Sequence, residues 1–168
     1  MATRVARRIK NPVKDKIPSK VKILNNAKIR MTVVGEHMAM DMYYDKWEGD
    51  AFKLAQVMID GSYGGPPRPF MKVIKEELEA SKELKEFTKK HITWNDKKTE
   101  CTVDWDSIAH KMETLAHEYM MFGIVAGKVA PLKPNTVYKK HSEGYNGSET
   151  LYASGQLAHM IVAQVVTK

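Results

Sequence analysis

Between Gly61 and Pro69 the chain sets three glycines and three prolines into nine residues. Neither a helix nor a central strand runs through such a stretch, because proline lacks the backbone donor and glycine has the most conformational freedom to lose. A second break lies at Pro131-Leu132-Lys133-Pro134-Asn135-Thr136, and Ser154-Gly155-Gln156-Leu157 follows it. The chain is thereby divided into a front part, a central helical part and a short tail. With 168 residues, 43% of them apolar, it has material for one respectable core, so one domain with an arm is the expectation.

Periodicity places the elements. Lys28 to Val34 and Phe52 to Met58 alternate polar with apolar residues, which predicts two half-buried strands. Between them, Glu36 to Asp50 is rich in methionine and aromatic residues and reads as an irregular excursion or a hairpin edge. Pro69 suits the first position of a helix, and Phe70, Val73, Ile74, Leu78, Leu84 and Phe87 supply its apolar stripe. The polar stretch Thr93 to Glu100 interrupts this pattern. A second helix starts at Asp104 or Asp106 and carries Trp105, Ile108, Met112, Leu115, Ala116, Tyr119 and Phe122 at spacings of three and four, with Gly127 as its terminator. Ile161 to Val166 reads as a closing strand. The predicted fold class is α+β: a mainly antiparallel sheet with two long helices packed on one face. That order leaves residues 131–154 as a long loop without regular pattern, which is uncommon unless it has a task such as contacting a partner.

Charge is unevenly placed. Residues 1–28 hold Arg4, Arg7, Arg8, Lys10, Lys14, Lys16, Lys20, Lys22 and Lys28 against Asp15 alone, so of the net +7 the other 140 residues carry about −1. This divides the chain into a basic extended N-terminal arm, 1–28, and a nearly neutral domain, 29–168. Pro12 and Pro18 disfavour a continuous helix in the arm. Such an arm meets phosphate or an acidic protein surface, or aids solubility. The sequence pI near 9.3 keeps a sequence-independent nucleic-acid-binding protein, acting through the arm, as the alternative function. Aromatic interleaving for base stacking is missing from the arm, and the body has no zinc-finger or RNP pattern.

Enzymatic chemistry finds little support. His110, Glu113 and His117 share a helical face, but without a His-Glu-x-x-His spacing they read as a polar or partner-facing stripe, and no metal is expected. Asp104 with Asp106, and Asp41 with Asp45, fit capping and turn chemistry. The glycines at 61, 64 and 65 lack the Gly-Lys-Ser/Thr ending of a phosphate loop, and Ser154-Gly155 lacks a nucleophile elbow. Cys101, the lone cysteine, reads as a small hydrophobe in a reducing compartment. No run of about 18 apolar residues offers a membrane span, and no apolar stretch follows the basic residues as in a signal peptide. Neither catalysis nor a cofactor is expected.

The breaks themselves carry a resemblance. A glycine-bearing loop leads to Pro66-Pro67-Arg68-Pro69-Phe70-Met71, then come Pro131-Leu132, Thr136 and the basic pair Lys139-Lys140, and Ser154-Gly155-Gln156-Leu157 precedes the last strand. In order and approximate spacing, over residues 29–166, this resembles the neck and tail-completion proteins of long-tailed bacteriophages. Ile59-Asp60-Gly61 stands where that family commonly has Glu-x-Gly, and the basic arm and the methionine-rich excursion have no counterpart. The resemblance implies a non-enzymatic virion structural protein: a subunit of a homo-oligomeric ring that joins head and tail and is assembled in the bacterial cytoplasm. Its implied partners are neighbouring connector or portal and tail proteins, with non-specific contact to packaged DNA and none with membrane. Arg4, Arg7, Arg8, Lys10, Lys14, Lys16 and Lys20 of the arm, with Arg68, Phe70, Lys139 and Lys140, are the candidate interaction residues.

Overall fold

A computed structural model of the protein describes residues 7–8, 12–13, 16–35, 38–41, 46–61, 65–142, 144 and 156–167. The fold is α+β. One sheet has the order β1-β3-β8, from Arg7–Arg8, Ala27–Val33 and Ile161–Thr167, with both pairings antiparallel. A second has the order β2-β7-β6, from Lys22–Ile23, Glu100–Val103 and Ile92–Trp94. A two-stranded ribbon, β4 (Met38–Asp41) with β5 (Lys46–Gly49), joins neither sheet. The excursion is thus a hairpin.

The first sheet carries the fold. β3 pairs with β8 along its whole length, from Ala27 opposite Thr167 to Val33 opposite Ile161. Ala27, Ile29, Met31 and Val33 are buried while Lys28, Arg30 and Thr32 are not, the period of two expected of a strand with one face covered. α4, Trp105–Met121, provides that cover and touches β3 and β8 together with α2 (Phe70–Ala80), α3 (Lys82–Lys90) and α6 (Gln156–His159). Its buried positions, Trp105, Ile108, Ala109, Met112, Leu115, Ala116 and Met120, recur at three and four. The helix begins where Asp104 Oδ1 accepts the Ser107 amide at 3.1 Å. It ends earlier than predicted, at Phe122, because Gly123 supplies the left-handed turn (φ 76°) and Gly127 lies beyond it.

Two expectations need correction. Residues 52–58 are not a strand but part of α1, Ala51–Asp60. Asp50 caps its start by accepting the Phe52 amide at 2.7 Å, and Gly61, at φ 71°, ends it with its N–H on the Val57 carbonyl. Buried Ala51, Leu54, Ala55 and Ile59 keep a helical spacing, and two good caps decide between the two periods. The first long helix is two: α2 (Phe70–Ala80) and α3 (Lys82–Lys90) break at Ser81, whose Oγ accepts the Leu84 amide at 3.1 Å and starts the second. The polar stretch 93–100 does interrupt the helical pattern: it runs from β6 to β7 around a hairpin whose tip is closed by Asn95 Oδ1 accepting from Thr99 and Glu100.

The basic arm is also less separate than its charge suggests. Val13 and Ile17 are buried in the core, and Ile23 packs against it. β2 runs parallel to β7, a departure from the otherwise antiparallel pairing. Asn25 locks this join: its amide donates to the Val103 carbonyl (2.7 Å) and accepts from the Val103 N–H (2.9 Å), as a paired strand residue would. The indole of Trp105 donates to the Asn25 carbonyl at 2.6 Å.

Phe70 opens α2 with no exposed surface, so Phe70→Ala is expected to lower unfolding stability by about 3 kcal/mol, read from a denaturant melt. The bond with Ser107 holds the Asp104 carboxyl below the usual carboxylate range. A depressed carboxylate contributes stability above its unfolded pKa of about 3.9 and loses it as pH falls through the lower folded value. Asp104→Asn keeps the cap acceptor without the charge. Its stability deficit should therefore hold constant above about pH 5 and vanish in strong acid, and a deficit independent of pH would remove the charge from the account.

Candidate functional site

Arg68 ties the two breaks in the chain together. Pro66, Pro67 and Pro69 restrict the backbone on either side of it, and its own N–H reaches back to the Met58 carbonyl at 2.9 Å. The approach there is tight: a Cβ on Gly61 would lie 2.5 Å from the Gly65 carbonyl oxygen, so only glycine fits. The guanidinium then crosses to the far motif, with Nε donating to the Ala130 carbonyl (3.0 Å) and Nη2 to that of Pro131 (3.2 Å). Burial pulls this guanidinium below its usual value, but an arginine remains charged, and bonds from a charged donor are the stronger kind. Phe70, two residues on, fills the core. Arg68 and Phe70 thus anchor one loop from opposite sides.

The clasp fixes the base of a segment that leads away from the core. After α4 the chain turns through Phe122–Val125 and a turn of 3₁₀ helix at Ala126–Lys128, held by buried Val125 and by an ion pair from Lys128 to Glu77. α5, Pro134–Ser142, occupies much of the predicted loop and packs closely against no other helix or strand among the described residues. Phe122 is 74% exposed and Tyr138 on α5 is 78% exposed. Large apolar side chains left in water on a segment rigidly held at its base suit contact with another surface.

A second feature lies on the sheet edge. β8 is an edge strand, and two side chains of α4 partly close it. Glu113 Oε2 accepts the Ala163 amide at 2.9 Å, and His117 Nε2 donates to the Ile161 carbonyl at 2.7 Å. Since a carbonyl only accepts, the proton of His117 sits on Nε2. His159 meets the His117 ring edge-on at 5.5 Å between centroids. The spacing of Glu113 and His117 was visible in the sequence, but their task, standing in for a missing strand, was not. His110, the third residue of the stripe, is exposed.

The other candidate residues are not gathered into one site. Arg7 and Arg8 form β1 against Met31 and Arg30. Lys16 lies near Glu86, whose carboxyl Lys89 holds down first by a hydrogen bond and Lys16 more weakly by charge. Lys20 is exposed. Lys139 and Lys140 belong to α5, and their side chains, like Arg4, Lys10 and Lys14, lie outside the described residues. Cys101 is buried, which pushes its thiol up and keeps it protonated. Among the described residues no group of three or more His, Cys, Asp or Glu side chains is placed to hold a metal, and no helix is long and apolar enough to cross a membrane.

No protein-family model, curated protein or solved structure matches the chain.

Arg68→Met keeps bulk and removes both donors. It is expected to cost about 2 kcal/mol and, more tellingly, to speed proteolysis at Lys128 several-fold relative to sites in α4. Equal cleavage rates in mutant and parent would mean the clasp holds nothing.

Proposed function

We propose that this protein is a virion structural protein, a subunit of an oligomeric neck or tail-completion ring that joins the head and tail of a tailed bacteriophage. The observation that carries the reading is the segment from Phe122 to Ser142, clasped midway at Ala130 and Pro131 by Arg68 while Phe122 and Tyr138 remain in water. A segment tied down at one point, with two large aromatic side chains in water, favours a part whose structure is completed by a neighbour. The motif order supports it from the sequence side, because the Arg68 loop and the Pro131 segment, the two regions of resemblance, are in direct contact. The partners are further copies of the chain and adjoining connector, portal or tail proteins.

The basic residues suit the same setting. Converging subunits bring like charges together, and packaged DNA or an acidic neighbour would offset that repulsion. In this reading Arg4, Lys10, Lys14, Lys16 and Lys20 give sequence-independent contact, with no base readout. The location would be the virion.

Sedimentation and negative-stain imaging test the proposal. The full chain should form discrete rings, while the pair Phe122→Ser and Tyr138→Ser, and separately Lys139→Glu with Lys140→Glu, should leave monomers with an unchanged melt. A chain that stays monomeric at every concentration, alone and with virion proteins, would count against it. If that monomer shifted duplex DNA with a log–log salt slope near −0.9 per phosphate, nucleic-acid binding through the arm would be the better reading.

A further inference from the structure

The outer edge of β8 is only half closed. In the β3–β8 ladder the Ala163 amide points outward to Glu113, so the strand's alternation directs the N–H and C=O of residues 161, 163, 165 and 167 outward, while 162, 164 and 166 bond to β3. Glu113 and His117 serve Ala163 and Ile161. Val165 and Thr167 have no such partner among the described residues, and His110, one turn earlier on α4, makes no side-chain bond to β8. The strand reads Ile-Val-Ala-Gln-Val-Val-Thr, with no charge, proline or glycine to repel another strand. Gln164, Val166 and Thr167 are exposed.

The chain also has an orphan of the opposite kind. The β4–β5 ribbon pairs Met38 with Gly49, Ala39 with Glu48, Met40 with Trp47 and Asp41 with Lys46, and no third strand among the described residues joins it. Two strands alone are marginal in water. Its base is pinned at the far end of β8: Val34 donates to the Met160 carbonyl at 2.8 Å, and Ala51 to that of Gly35 at 3.4 Å. The open edge lies five to seven residues beyond Met160, about 17–23 Å away at 3.3 Å per residue. Within one subunit the ribbon and the open edge do not pair.

We infer that the β4–β5 ribbon of one copy adds to the Val165–Thr167 edge of the next, extending the β1-β3-β8 sheet across the subunit boundary. The ribbon and the acceptor edge are different surfaces, so the contact is heterologous, and it closes into a ring when the rotation between copies permits. Glu113 and His117 set where the added strand stops, because they already occupy the edge at Ala163 and Ile161. The inference rests on the assembly reading and specifies which surfaces meet.

Disulfide trapping between copies tests it. Chains carrying Glu48→Cys or Ala39→Cys are mixed with chains carrying Thr167→Cys and oxidised, and mixed dimers are identified by mass. Native Cys101 is buried and gives no background. Mixed dimers should accumulate in the assembled fraction and be absent from dilute monomer. Their absence from an assembled sample, or Thr167→Cys chains linking only to each other, would overturn the inference and leave the assembly reading standing. If the parent chain never assembles, both fail. As a second arm, Val165→Pro removes an outward donor at an edge position, where a strand tolerates proline, and should weaken assembly by up to about tenfold with the fold retained by circular dichroism. Undiminished assembly of a folded Val165→Pro chain would also overturn it.

Discussion

The seven-residue ladder between β3 and β8 is the constraint on which the rest of the molecule depends. It joins residues at opposite ends of the sequence, so closing it carries a large loop entropy that only the burial of Ile29, Met31, Val33 and Ile161 beneath α4 can offset. Everything else is arranged around that cover. α2 and α3 pack on α4, and α6 tucks Leu157 and Ala158 into the core just before β8 begins. The short β1 takes the other edge of β3.

Polar side chains then join pieces of backbone that cannot pair regularly. Asn25 imitates a strand residue against Val103, Glu113 and His117 do the same for β8, and Arg68 caps two carbonyls of an irregular segment. In each case a backbone group that would otherwise be unpaired gains a partner, and leaving such a group unpaired in a buried place costs about 1–3 kcal/mol. These bonds therefore direct the chain more than they stabilise it. They decide where a loop leaves the core and where a strand edge ends, which are the features an interaction surface is made from.

Legibility followed the period of each segment. β3, α4 and β8 were readable because each has one buried face and one clear repeat. α1 was misread because Phe52, Leu54 and Met58 also satisfy a period of two, and short apolar runs do not discriminate between the two periods until both caps are known. Of the candidate site, Arg68 and Phe70 stood out by their prolines, and the Glu113–His117 spacing was plain. Their partners were not: Arg68 meets a carbonyl 62 residues away and Glu113 an amide 50 away, distances at which sequence carries no local signal.

By itself the sequence determined the α+β class, the break in regular structure between Gly61 and Pro69, the asymmetry of charge and the buried faces of β3 and α4, all of which follow from backbone freedom, periodicity and composition. Only the tertiary structure decided that the two glycine- and proline-bearing segments meet, that Val13 and Ile17 belong to the domain and not to a free arm, and that Glu113 and His117 meet the outer edge of β8. The physical reason is that propensity acts over a few neighbouring residues, whereas a hydrogen bond between distant segments exists only after burial has already brought their backbones together.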